Sequence, residues 1–300
     1  MHFTRTISLL VALQAAAFAQ APCGARADSS TMLVSTAWLS QHLHDPNLVL
    51  LFVGQKPDYD KSHILGSLFL AYSDIQAAGD QKSLTLELPP MSQLADVFEK
   101  LGVSNNSHIV LYTAKGISAP ETRVFLTLDT MGLGARASIL NGGFSSWESE
   151  GRVGTTDVRK VTPGKLQLCQ RNDTIVDAAY VRTNLHHAGV TIVDARDLQF
   201  YTGATIPPGK RAGHIPGAVN LTFSTLIDGE GKLNPAEKLR QQFTAAGYHP
   251  GDQVVSYCHI GQQATMVYFA ARYLGLDARL YDGSWEDWSA HTDWPAEVAK

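Results

Sequence analysis

Cysteine is scarce in this chain. There are three in 300 residues, and none sits in a Cys-x-x-Cys pair. That excludes a disulfide-built scaffold and offers no zinc-type spacing. No block of Lys or Arg is present, and the formal net charge is -4. The clustered basic footprint of a nucleic-acid binder is therefore missing. With 44% hydrophobic and 17% charged residues, 25 Gly and 13 Pro, the composition is globular and excludes disorder, coiled coil and collagen. Beyond the N-terminus no stretch is apolar enough to cross a bilayer.

What the chain does have begins at that N-terminus. Arg5 precedes an apolar run over residues 7–18, too short to span a membrane but of the length of a secretory signal core. Two small-x-small sites follow, Ala17-Phe18-Ala19 and Ala25-Arg26-Ala27. Cleavage is expected after Ala27, so residues 1–27 are read as a signal peptide. Gln20-Ala21-Pro22 ahead of Cys23 lacks the pattern of a lipid-attachment site. Loss of Arg5 and Arg26 leaves 22 basic against 28 acidic residues, a charge of -6. The expectation is an exported protein, free of the membrane after cleavage, in a compartment like the bacterial periplasm.

At roughly 100–200 residues per domain, the length implies two. The sequence repeats itself accordingly. Lys61-Ser-His-Ile-Leu-Gly-Ser-Leu68 matches Ala212-Gly-His-Ile-Pro-Gly-Ala-Val219. His108-Ile-Val-Leu-Tyr-Thr-Ala-Lys-Gly116 matches Gln253-Val-Val-Ser-Tyr-Cys-His-Ile-Gly261, and Asn141-Gly-Gly-Phe-Ser-Ser-Trp147 matches Asp282-Gly-Ser-Trp-Glu-Asp-Trp288. Three matches in one order indicate a duplicated unit. β-branched and aromatic runs at Val190–Asp194, 254–257 and Ala278–Tyr281, with first-half counterparts at 49–53, His108–Tyr112 and 138–140, read as buried parallel strands. Met266, Phe269, Ala270, Tyr273 and Leu274 fall at helical spacing and Gly275 follows as a stop. The alternation predicts an α/β fold with a parallel sheet in each half. The expected limits are 28–151 for the first domain, 152–173 for a linker without periodicity, and 174–300 for the second domain.

Cys258 ends one of the predicted strands. The loop His259-Ile-Gly-Gln-Gln263 and a helix starting near Ala264 come next. Backbone N–H groups of such a loop and the positive end of the helix behind it stabilise a thiolate. Gly261 supplies the freedom to adopt positive φ that a tight cradle requires.

These residues carry a resemblance. Cys258-His-Ile-Gly-Gln-Gln263 resembles the six-residue active-site loop of the rhodanese family of sulfurtransferases. Gly213-His-Ile-Pro-Gly-Ala218, Asp194-Ala-Arg196 and Asp282-Gly-Ser-Trp285 resemble three further segments of that family. The resemblance runs over residues 30–300 and implies two tandem rhodanese-like domains, each a parallel sheet flanked by helices on both faces. It further implies that Cys258 is the nucleophile, attacking the outer sulfur of a small-molecule donor such as thiosulfate or 3-mercaptopyruvate. The sulfur is carried as a persulfide and passed to cyanide or a thiol. Cys258 is thus the expected catalytic residue, with His259, Ile260, Gly261, Gln262 and Gln263 as its cradle. No metal or organic cofactor is implied, and a single chain suffices. The first half resembles an inactive partner domain: Thr113 stands where Cys258 does, and Val53-Gly54-Gln55 is matched to Asp194-Ala-Arg196.

The loop departs from the better-known members. Thiosulfate-type members tend to carry Arg and Lys after the cysteine, whereas this chain has His259 and Ile260. Ile260 also occupies the place where mercaptopyruvate-type members tend to carry a hydroxyl. Phe200 stands where a substrate arginine is often found. Arg196 and the pair Lys210-Arg211 are the remaining candidate anion contacts, Arg196 with an internal salt bridge as its alternative. His259 is a candidate for tuning the thiolate. His63 and His214 are expected to make structural hydrogen bonds, and His42, His44, His186 and His187 to lie at the surface. A phosphatase reading fails because Ala264 stands where Cys-x5-Arg needs its guanidinium. A persulfide carrier with little turnover is the alternative function, and a redox pairing of Cys169 with Cys258 is a third reading.

Overall fold

The computed structural model describes residues 24–77 and 84–298. Its strands form two five-stranded, wholly parallel sheets. The first contains β1 (Leu33–Val34), β2 (Leu48–Val53), β3 (Leu68–Leu70), β4 (His108–Tyr112) and β5 (Ala137–Leu140), in the order β1-β5-β4-β2-β3. The second contains β6 (Ile175–Val176), β7 (Val190–Asp194), β8 (Val219–Asn220), β9 (Gln253–Tyr257) and β10 (Ala278–Tyr281), in the order β6-β10-β9-β7-β8. The two orders are the same topology, as the sequence repeat predicts. The central strands coincide with the predicted runs. The edge strands are two or three residues long, too short for any periodicity to show.

Parallel strands need cover on both faces because helical crossovers run over each. Alternate residues of β2 accordingly enter different cores. Val49, Leu51 and Val53 join one cluster and Leu48, Leu50 and Phe52 another. In β9 Val254 faces one core while Val255 and Tyr257 face the other.

The strand register corrects one sequence alignment. Phe52 pairs with Tyr112 as Asp194 pairs with Tyr257. The first-half counterpart of Asp194-Ala-Arg196 is therefore Phe52-Val-Gly54, one residue earlier than the motif comparison placed it. A repeated hydrogen bond supports this register: Ile64 N–H donates to Tyr112 Oη and Ile215 N–H to Tyr257 Oη, both at 3.1 Å.

The two halves share one core. Helix Ala119–Thr130 packs on helix Ala264–Tyr273, with Phe125 and Phe269 edge to face at 4.9 Å. Such a pair adds about 0.5–1.5 kcal/mol beyond its area burial. Helix Ala119–Thr130 starts at a Ser118/Glu121 capping box and is buried nearly all round, which explains its weak amphipathic signal in the sequence. Several of its polar residues are partnered across the seam. Thr122 Oγ1 lies 2.7 Å from Thr265 Oγ1. Asp129 accepts from Arg171 at 2.8 Å and from Tyr268 Oη at 2.6 Å. Gly116 and Gly231, both at positive φ, let the two backbones touch: a Cβ on Gly116 would lie 2.6 Å from Gly231 Cα.

Residues 157–173 run as a strap without helix or strand along the first domain. Gly164 N–H donates to Glu99 O at 2.7 Å and Arg171 N–H to Thr130 O at 2.8 Å. Residues 24–27, which the sequence assigns to the removed segment, are joined to this body. Gly24 N–H donates to Gly132 O at 3.3 Å. Arg26 pairs with Asp173 at 2.5 Å and Asp277 at 3.1 Å, and Ala27 packs against the core. The rest of the expected signal segment lies outside the described residues. Cys169 is disulfide-bonded and Cys258 is free, so the two do not pair with each other.

Candidate active site

Cys258 follows directly on β9, an inner strand of the second sheet, at its carboxyl end. Open parallel sheets place ligands at this edge, where loops and helix N-termini converge. The side chain is fully buried. Its cradle, residues 259–263, leads into helix Ala264–Tyr273. Thr265 N–H and Met266 N–H donate back to Gln262 O and Gln263 O, both at 3.1 Å, starting the helix. Among the described residues the N–H groups of residues 260–263 donate to no other protein group.

Neighbouring segments fix the cradle from outside. Ser284, at φ +52, accepts from Cys258 N–H at 3.1 Å and donates to Tyr281 O at 3.0 Å. Trp285 N–H donates to Cys258 O and Glu286 N–H to His259 O, both at 2.9 Å. The degenerate half repeats this scaffold: Phe144 N–H donates to Thr113 O and Ser145 N–H to Ala114 O, at 2.8 and 3.1 Å. There the Thr113 hydroxyl folds back onto Gly116 O, and no thiol is present to carry sulfur.

Arg123 closes the cradle from the other domain. Its guanidinium donates to Gly261 O at 3.1 Å, to Leu86 O at 2.5 Å and to both carboxylate oxygens of Asp282. Gly261 sits at φ +76, and a Cβ there would fall 2.6 Å from Asp282 Oδ1. Arg123, Asp282 and Gly261 are thus one interlocked unit. Above it, Glu286 holds the first domain's 84–90 segment through Thr85 N–H at 2.7 Å and is met by Lys210 at 3.6 Å.

The loop residues 259–263 come together around Cys258, but the arginines expected at the substrate behave differently. Arg196 is buried and turned inward. Its Nε and Nη2 bond Asp194, and Nη2 also reaches Gly213 O at 2.8 Å. Its guanidinium stacks 4.7 Å from the Trp285 ring centroid, so the internal salt bridge is what forms. Arg211 donates to His291 O at 2.9 Å, and Lys210 faces Glu286. His259 lies edge-on to Phe200 at 4.6 Å. Burial, and then the Arg196 charge, hold its imidazole below the usual histidine range. That direction works against an imidazolium beside the thiolate. His63 and His214 are buried with ring nitrogens on carbonyl oxygens, Tyr59 O and Tyr201 O, each at 2.8 Å, as expected for structural histidines.

Sequence reasoning missed Arg123, Tyr72, Asp282 and Ser284 as parts of the site. Asp282 and Ser284 lay inside a recognised motif, which was the available signal. Arg123 and Tyr72 lay in the half read as inactive, on elements with no motif. Tyr72 begins a 3-10 turn, Tyr72–Ile75, that packs against helix Ala119–Thr130. Among the described residues no group of three His, Cys, Asp or Glu is placed to hold a metal ion, and no helix is long and apolar enough to cross a membrane.

Comparison with known proteins agrees with this geometry. The Rhodanese-like domain profile matches residues 35–150 and again 177–291. The 3-mercaptopyruvate sulfurtransferase of Escherichia coli K12 is 30% identical over 287 residues, 91% of this chain and all of the relative. The sulfur carrier protein TtuD of Thermus thermophilus is 30% identical, covering 86% of this chain and 93% of the relative. The thiosulfate sulfurtransferase of Bos taurus is 29% identical, covering 85% and 91%. The crystal structure of SseA from Escherichia coli, a 3-mercaptopyruvate sulfurtransferase, superposes with a TM-score of 0.75 at 25% identity over 85% of this chain and 99% of that one. With the domain matched twice in tandem and relatives aligned along most of its length, this chain belongs to the rhodanese family.

Proposed function

We propose that this protein is a sulfurtransferase that moves a sulfane sulfur from 3-mercaptopyruvate or thiosulfate, through a persulfide on Cys258, to cyanide or a thiol. The observation that carries this reading is the placement of Cys258: a free, buried thiol at the carboxyl end of an inner strand, directly ahead of a loop whose N–H groups donate to no described protein group and which leads into a helix N-terminus. The names of the relatives supply the donor classes.

In the first step the Cys258 thiolate attacks the donor's outer sulfur. An S–S bond forms, and the bond between that sulfur and the rest of the donor breaks with its electron pair leaving on the departing group. The product anion, Cys258–S–S⁻, is stabilised by the loop N–H groups and the helix dipole. In the second step cyanide or a thiolate attacks the terminal sulfur, the S–S bond breaks, and the Cys258 thiolate returns. Because Arg123 comes from the other domain of the same chain, one chain completes the site, and we propose that it acts as a monomer.

The test is the initial rate of thiocyanate formation from cyanide with each donor, against Cys258→Ser. Cys258-dependent turnover is expected, and a Cys258→Ser rate equal to wild type would sink the assignment. A second reading, a persulfide carrier, is favoured by Phe200 and His259, which present an aromatic edge where a fixed cation would hold a donor anion. Stoichiometric labelling of Cys258 without multiple turnovers would select it.

Export is part of the proposal. The docking of residues 24–27 supports cleavage upstream of them, at Ala17-Phe18-Ala19, rather than after Ala27. Such a chain retains Cys23. With Cys258 free, Cys23 is the partner the sequence offers to the Cys169 disulfide. The mass of the exported chain, before and after reduction, checks both points together.

A further inference from the structure

Tyr72 belongs to the half of the molecule that carries no nucleophile, yet its hydroxyl faces Gln262, in the loop that follows the nucleophile of the other half. Its hydroxyl is buried and meets the Gln262 side chain, and the charges of Arg123, Asp282 and Cys258 act on it. Among the described residues no acceptor takes its proton. A buried O–H with no acceptor is destabilising by about 1–3 kcal/mol. Such an orphan at a reactive site signals a partner that arrives with the substrate. Burial, the dominant influence, pushes its pKa up to about 12, so the group holds its proton at neutral pH.

The other proton carriers around Cys258 are committed. Between Cys258 and Ala264 the loop contains no hydroxyl. Ser284 donates to Tyr281 O, and Thr265 Oγ1 is engaged with Gln262 O at 2.7 Å and Thr122 Oγ1 at 2.7 Å. His259 is packed edge-on against Phe200, with burial pushing its pKa down.

We propose that Tyr72 is the proton donor to the carbon leaving group when the sulfur donor is a mercapto-keto acid, an inference that rests on the sulfurtransferase reading above. The step balances as follows. The Cys258 thiolate bonds to the donor's thiol sulfur, and the carbon–sulfur bond breaks with its electron pair going to carbon, which is reduced as the transferred sulfur is oxidised to the sulfane level. The Tyr72 O–H delivers its proton to that carbon, completing the methyl group of the keto acid. The phenolate then recovers a proton from the persulfide S–H, leaving Cys258–S–S⁻ and a neutral phenol. With thiosulfate the departing group is sulfite, which takes the electron pair on its own sulfur and needs no proton. The catalytic contribution of Tyr72 is therefore specific to donors that leave as carbon.

Tyr72→Phe removes one oxygen and keeps the ring that packs on the core. General acid catalysis is worth about 10²–10⁴-fold. The expected result is a ratio of kcat with 3-mercaptopyruvate to kcat with thiosulfate lowered about 10²-fold, with KM for 3-mercaptopyruvate little changed. Any loss from altered packing falls on both donors and cancels in that ratio. Equal losses with both donors would show a packing role and overturn the proposal, as would an unchanged mercaptopyruvate rate. If the wild type turns over thiosulfate alone, no carbon leaving group exists and the Tyr72 proposal falls while sulfur transfer stands. If it turns over neither donor and Cys258 takes up no sulfur, the sulfurtransferase reading itself fails.

Discussion

Replacing Arg123 by Met removes the guanidinium that joins the domain without a nucleophile to the cradle of the other, with little loss of volume. The Arg123 Nη2 to Asp282 Oδ2 distance is 3.1 Å. At an effective dielectric of about 20 such a pair attracts by about 5 kcal/mol, and desolvating both ions offsets much of that. Removing one partner leaves the other's desolvation uncompensated, which is typically destabilising by about 3–5 kcal/mol. The Arg123 side chain is 2% exposed and that of Asp282 14%. Water reaches the orphaned carboxylate in part, so the low end, about 3 kcal/mol, is expected. The variant also frees Gly261 O and places an unpaired negative charge beside Cys258, where an anionic persulfide must form. Losing one well-placed electrostatic contact of this type lowers kcat about 10²–10³-fold. Urea unfolding and thiocyanate formation measure the two effects. Arg123→Met combined with Asp282→Leu is expected to regain part of the stability and none of the activity, since the anchor on Gly261 O stays lost. A single variant within about 1 kcal/mol of wild type, or a double variant no more stable than the single, would refute the reasoning.

Two further outcomes follow from the same structure. Gly261→Ala forces a Cβ into a left-handed conformation, at about 1–2 kcal/mol, and against the Asp282 carboxylate. Both stability and the transfer rate should fall, and a fully active Gly261→Ala would show that the cradle geometry is not required. His108 is held near pKa 4, mainly by burial and then by the His42 and Arg136 charges. Its folded value lies below the unfolded one of about 6.5, so its contribution is whole above pH 6.5 and is lost as the pH falls toward 4. The loss is about 2–4 kcal/mol, read as a shallower acid slope in the unfolding free energy of His108→Gln.

Local patterns in the sequence determined the fold and the nucleophile. Fully buried parallel strands are short apolar runs, so β2, β4, β7, β9 and β10 were legible, whereas the edge strands were not. The order of the three repeated motifs showed the duplication, and Cys258 ahead of a short loop and a helix marked its own site. Contiguous residues 259–263 were bound to surround it because covalent connection puts them there. Tertiary structure decided what reaches that cradle from afar. The sequence left Arg196 open to a substrate anion or an internal salt bridge, and the structure forms the salt bridge, with Asp194, two residues away and equally buried. His259 was a candidate cation by its place after Cys258, and burial and the Arg196 charge push its pKa down. Arg123 and Tyr72 carry no motif, and they enter the site because helix Ala119–Thr130 packs on helix Ala264–Tyr273. That packing depends on side chains more than a hundred residues apart meeting across one seam, such as Phe125 on Phe269 and Thr122 on Thr265. A pattern along one chain does not state which two buried faces meet. The domain without a nucleophile therefore supplies groups to the active site of the other, where its own motifs showed only an inactive partner.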